Sequence, residues 1–178
     1  MNSFLIHDLN EEIFNSALQW YQGSDIVDAI GNKNFCQGCL DCWTKNRYGC
    51  SYEKKYGSIS ELFAKYEQVD IVSSCLYGGY SIPVKSVIEK NISYSYPHFS
   101  LDYNSTHHVM KTDKIIKFNV IFYGNDITDE EKRIAINIVK NNVYSLNPEN
   151  KMYFRVAFVE DIYDIKAEHM SIVEEKEM

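Results

Sequence analysis

Five short apolar runs punctuate the chain, at 3–7, 25–30, 69–76, 115–123 and 153–159, and their spacing leaves few folds open. Between them the apolar residues recur at helical spacing. Ile13, Phe14, Ala17, Leu18 and Tyr21 mark a helix over 11–21, with Asp8 or Asn10 as its cap and Glu11 and Glu12 in its first turn. Ile59, Leu62, Phe63 and Tyr66 mark a second, capped by Ser58 or Ser60. Val84, Val87 and Ile88 mark a third that runs to Lys90, and Ile134, Ile138 and Val139 a fourth behind Thr128-Asp129-Glu130-Glu131. Strands alternating with helices predict βαβ units on a parallel sheet. Right-handed crossovers then put helices on both faces, giving an α/β, three-layer doubly wound domain.

The length of 178 residues suits one domain spanning 1–178, and the 45% apolar fraction is that of a chain able to bury a core. The formal charge of −7, with no basic run, argues against a nucleic-acid partner. No apolar stretch approaches the roughly 20 residues of a membrane span, and the first residues lack a signal pattern, so a cytoplasmic protein is expected. In that compartment cysteines serve as thiols or metal ligands more often than as structural disulfides.

Four of the five cysteines fall in one window, Cys36-Gln-Gly-Cys39-Leu-Asp-Cys42-Trp43 and then Gly49-Cys50. Such spacing brings several thiols near one centre, which suits an iron–sulfur cluster, zinc or a redox dithiol, or simply a loop of reduced thiols. Cys75, at the end of a buried run, reads as a small core residue. A glycine-bearing turn, Tyr77-Gly78-Gly79-Tyr80-Ser81, follows the third strand, and Gly124-Asn125-Asp126 follows the fourth. In a doubly wound sheet both turns, the cysteine loop and segment 8–12 belong to the rim beyond the carboxyl ends of the strands, where ligands bind. The stretch 91–111 holds Pro97, His98, His107 and His108 without a clean period and reads as an excursion or arm. Its aromatic content suggests a homo-oligomer contact. Adjacent His107 and His108 on a strand would face opposite ways, which does not suit a shared metal. The tail from Asp161 reads as weakly structured. No P-loop, catalytic triad or paired-carboxylate pattern stands out, and no catalytic residue is assigned.

The cysteine window, together with Leu76-Tyr77-Gly78-Gly79-Tyr80-Ser81, Pro83, Lys85 and Ile88, resembles the flavodoxin-like family of NAD(P)H-dependent FMN reductases and iron–sulfur flavoproteins, most closely over residues 36–92. The resemblance implies a flavodoxin-like fold with a five-stranded parallel sheet in the order 2-1-3-4-5. It also implies FMN as cofactor, NAD(P)H as reductant and a small-molecule electron acceptor. Leu76, Tyr77, Gly78, Gly79 and Tyr80 would lie against the flavin, with Asn125 near it, and Cys36, Cys39, Cys42 and Cys50 match the spacing of ligands to a four-iron cluster. The segment after the first strand departs from the family pattern. His7-Asp8-Leu9-Asn10-Glu11-Glu12 has no glycine, serine or threonine and carries three carboxylates where a phosphate-binding loop is usual. Two other classes of function stay open on the residues: an interaction or regulatory module that has lost FMN, and a cysteine-based metal or redox protein.

Overall fold

A computed structural model describes residues 2–21, 25–31, 34–46, 49–52, 59–101, 106–147 and 151–173. Its central sheet contains β1 (Ser3–His7), β2 (Asp25–Asp28), β3 (Gln68–Leu76), β7 (Lys117–Tyr123) and β8 (Phe154–Val159), in the order β2-β1-β3-β7-β8. Every neighbouring pair on that path is parallel. This is the expected 2-1-3-4-5 order once inserted strands are passed over. The two-residue β4 (Gly79–Tyr80) folds back antiparallel on the end of β3.

Alternation along each strand feeds two cores. Phe4, Ile6, Val69, Ile71, Phe118, Val120 and Phe122 face one layer, packed by α3 (Ile59–Lys65), α4 (Ile82–Ile88) and α5 (Asp129–Leu146). Leu5, Val72 and Ile121 face the other, packed by α1 (Glu11–Ala17) and the tail residues Ile162, Ile165 and Met170. The tail is therefore not loose. Two 3-10 turns, at Ile162–Asp164 and Ala167–Met170, roof the second face.

A buried polar network fastens that roof. Asp70, fully buried, accepts from Tyr21 Oη at 2.9 Å, Gln68 Nε2 at 2.8 Å and Asn119 Nδ2 at 2.8 Å. Asn119 Oδ1 accepts from Arg155 Nε at 3.0 Å, and Arg155 also donates to Ser171 Oγ at 2.8 Å and to the His169 carbonyl. Burial raises the Asp70 carboxyl above its ordinary value, opposed by these three donors.

Local chemistry explains most element ends, with some departures from the expected bounds. α1 is capped by Asn10, whose Oδ1 accepts from Ile13 N at 2.8 Å. It stops at Ala17 rather than 21, because Trp20 Nε1 takes the Ala17 carbonyl at 2.8 Å and the chain turns there. The expected Ser58 cap lies outside the described residues. Ser60 caps nothing: it sits inside α3, buried, bonded to Ser93 Oγ. Ser81 caps α4, which tightens into a 3-10 turn over Glu89–Tyr94. Thr128 and Glu131 form a reciprocal capping box on α5. The 91–111 excursion contains an antiparallel pair, β5 (Ser95–Ser100) with β6 (His107–Met110). The remaining helix is the single turn α2 (Asp41–Thr44) in the cysteine loop. Among the described residues no helix is long and apolar enough to cross a membrane.

Candidate functional site

In a 2-1-3 order the crossovers leave β1 toward opposite sides, which opens a crevice beyond the carboxyl ends of β1 and β3. Asp8 is the first residue past β1, and Ser74–Leu76 end β3. Asp8 spans the crevice. One carboxylate oxygen accepts from Ser74 N at 3.0 Å and Ser74 Oγ at 2.9 Å, and the other accepts from Tyr123 Oη at 3.0 Å at the end of β7. Burial, and then the Asp8 charge, hold the Tyr123 hydroxyl well above its usual range, so it stays a protonated donor. Asp8 is thus neither a helix cap nor part of a solvated helix start, because its side chain is buried across the sheet end. Ser74 and Tyr123 were not singled out by sequence; the available signal was a polar residue at each carboxyl strand end.

The turn after β3 distributes its residues unequally. Tyr77 has a left-handed backbone (φ 50°) and is 85% exposed, and Leu76 is also exposed. Gly78, at φ 75°, is needed for close approach to α5: a Cβ there would stand 2.9 Å from the Glu131 carbonyl oxygen. Gly79 lies against the same helix near Ile138. Tyr80 turns inward, buried, its ring 5.3 Å from that of Phe122. Asn125 is exposed in the turn after β7, next to left-handed Asp126. Of the six residues expected at a ring site, Leu76, Tyr77 and Asn125 face solvent at the sheet's carboxyl edge. The two glycines and Tyr80 instead build the turn that holds them.

The four loop cysteines share a different cavity. Cys36, Cys39, Cys42 and Cys50 line it with Tyr52, and buried Lys90 and Ile92 close it from the 3-10 turn after α4. No residue of the Asp8–Tyr77 edge lines it, so cysteines and crevice are separate features. Cys36 and Cys39 are exposed and Cys42 is buried. Burial, then the neighbouring Cys50, Cys36 and Cys39, push the Cys42 thiol up. Trp43 anchors the loop, donating from Nε1 to the Ile92 carbonyl at 2.9 Å and the Ser95 carbonyl at 3.1 Å while packing on His108. Among the described residues no three His, Cys, Asp or Glu side chains are arranged to hold a metal ion. Cys75 is partly buried at the end of β3, and burial raises its thiol too.

Parallel order, layers and crevice define a flavodoxin-like α/β fold. No family model and no curated protein matches the sequence. Solved structures do match. An FMN-dependent NADH-azoreductase from Bacillus anthracis str. Ames Ancestor, solved in complex with FMN, superposes with a TM-score of 0.55 at 13% identity, covering 92% of this chain and 89% of that one. An NAD(P)H:quinone oxidoreductase from Methanothermobacter marburgensis gives 0.48 at 10% identity over 93% of this chain and 88% of that one. At 13% identity the likeness to the azoreductase is one of fold.

Proposed function

We propose that this protein is an NAD(P)H-dependent flavin oxidoreductase of the FMN-reductase type. The observation that carries the reading is Tyr77: an aromatic side chain 85% exposed, on a left-handed backbone, at the carboxyl edge where this sheet order opens its crevice. An exposed ring on a braced turn is a platform for a flat aromatic ligand, and Leu76 widens its apolar face. The azoreductase of like fold is FMN-dependent and takes NADH, which supports the same pair of ligands here.

The residues present fit the ring of a flavin. They do not offer a phosphate cradle, because Asp8 already takes the Ser74 and Tyr123 donors. A bound flavin supplies the hydride-accepting chemistry between a nicotinamide and a small-molecule acceptor. The chain's part is binding and orientation. Leu76 and Tyr77 would hold the ring, Asn125 would offer an amide at the neighbouring strand end, and Gly78 keeps the turn seated on α5 so that the platform stays aligned.

Visible spectra of the purified protein, before and after adding flavin and desalting, test this directly. Retained or perturbed flavin bands that bleach with NADH or NADPH are expected. Flavin bands indistinguishable from those of free flavin at every concentration would remove the reading.

Two further features belong to the proposal. Tyr96, Phe99 and Leu101 are exposed on or beside the β5–β6 hairpin, which supports a homo-oligomer paired through this arm. A monomer by light scattering would exclude it. The free thiols at Cys36, Cys39, Cys42, Cys50 and Cys75 suit a reducing compartment such as the cytoplasm.

A further inference from the structure

We infer that Asp8 is a specificity-determining residue that disfavours the flavin phosphate, so that the crevice takes riboflavin at least as well as FMN and the flavin exchanges rather than staying bound. The inference rests on the flavin reading above and deepens it.

Three donors converge at the β1/β3 crevice: the Ser74 amide, the Ser74 hydroxyl and the Tyr123 phenol. They come from two strands and from backbone as well as side chains, the mixture that suits a phosphate oxygen. All three point at the Asp8 carboxylate, which puts an anion of this chain where an anionic ligand group would draw its bonds. In the loop that follows, two of the donors are already taken. Leu9 N donates back to His7 Nδ1 at 3.2 Å, Leu9 itself is buried, and Ile13 N is taken by Asn10. α1 is only seven residues long, and its first turn carries exposed Glu11 and Glu12.

A phosphate carrying nearly two negative charges therefore meets a buried carboxylate and two nearby exposed ones, with the Ser74, Tyr123, Leu9 and Ile13 donors already taken. Riboflavin has the same ring without that charge. Like charges a few ångströms apart, partly screened from water, weaken binding by about tenfold or more. The ring platform at Leu76 and Tyr77 is untouched by this penalty, so the two flavins differ at one end only.

Fluorescence titration of the full-length protein with riboflavin and with FMN, at low and high salt, reads the effect. The wild type is expected to bind riboflavin as tightly as FMN or more so, with FMN binding improving as salt rises and riboflavin binding unchanged. Asp8→Asn keeps the side chain's shape and an acceptor while removing its charge, and is expected to tighten FMN about tenfold and to move riboflavin less than about threefold. Asp8→Ser, a smaller side chain with a hydroxyl donor, is expected to do the same if the amide variant folds poorly. Tyr123→Phe, which leaves the carboxylate in place, is expected to gain nothing for FMN. Wild-type protein binding FMN about tenfold tighter than riboflavin would overturn the inference and leave the flavin reading standing. So would Asp8 variants that move both flavins equally. If no flavin binds to any of the four proteins, the flavin reading fails and the inference fails with it.

Discussion

Gly78 and Ile134 meet so closely that a Cβ added at Gly78 would stand 2.8 Å from the Ile134 Cβ. The turn after β3 is thus seated on α5 by the absence of a side chain, and its exposed neighbour Tyr77 inherits the rigidity. Gly78→Ala combines a strained left-handed φ with a clash on backbone, so a loss of about 2–4 kcal/mol is expected in chemical denaturation. Adding Ile134→Ala should restore little of it, since alanine keeps the Cβ at 2.8 Å and the Glu131 carbonyl oxygen stands at 2.9 Å.

Tyr77→Ala should separate binding from folding. With the side chain 85% exposed, the melting temperature should shift little, whereas flavin affinity should fall about tenfold from lost ring contact. Titration and a thermal melt on the same sample check both. A variant that binds flavin as tightly as the wild type would remove Tyr77 from the platform.

How far the sequence reveals this arrangement depends on the kind of contact. The strands are legible because each falls in a short apolar run, and Thr128 with Glu131 announces α5 because a capping box is a local pattern. The β5–β6 hairpin leaves no period, since Ser95–Ser100 is mostly exposed on both faces. The tail escapes for another reason: Ile162, Ile165, Met170 and Val173 are buried from two 3-10 turns and the links beside them, whose spacing fits neither helix nor strand. Asp8 is illegible in principle. Its partners lie 66 and 115 residues away, and no local pattern encodes them.

His7 gives the fold a pH dependence of known sign. Its ring stacks on Phe14 at 4.5 Å, and its Nδ1 accepts from Leu9 N. Burial lowers its pKa from the ordinary 6.5, against the opposing pull of Asp28 and Asp8. A depressed histidine contributes stability that is present above pH 6.5 and is lost as the pH falls through the lower folded value. Denaturation midpoints of wild type and His7→Asn should therefore converge as the pH drops from neutral into the region below 6.5. Parallel curves would count against the assignment.

The thiols should react in an order set by exposure and charge. Cys36 and Cys39 are exposed and should be modified first by a disulfide reagent, and Cys42, buried and held protonated, later. Mass spectrometry of partially labelled protein gives the order. Uniform protection in anaerobically purified protein, released by a chelator, would instead show that the loop had closed around a metal.

Arg155→Ala should loosen the roof of the second face. It removes donors to Asn119, His169 and Ser171 together and leaves the buried Asn119 Oδ1 without its Arg155 partner, for about 1–3 kcal/mol. Hydrogen exchange should quicken first across the 162–173 segment, ahead of the sheet.

The same roof bears on how the protein comes into being at the ribosome. Leu5, Val72 and Ile121 are only partly covered, by α1 and the residues that follow it, until the segment carrying Ile162, Ile165 and Met170 has left the exit tunnel. During that interval the half-built sheet presents a greasy, strand-lined wall to the cell, a natural client for a trigger chaperone. Slowing translation ahead of codon 155 should therefore lower the yield of soluble protein more than slowing it earlier.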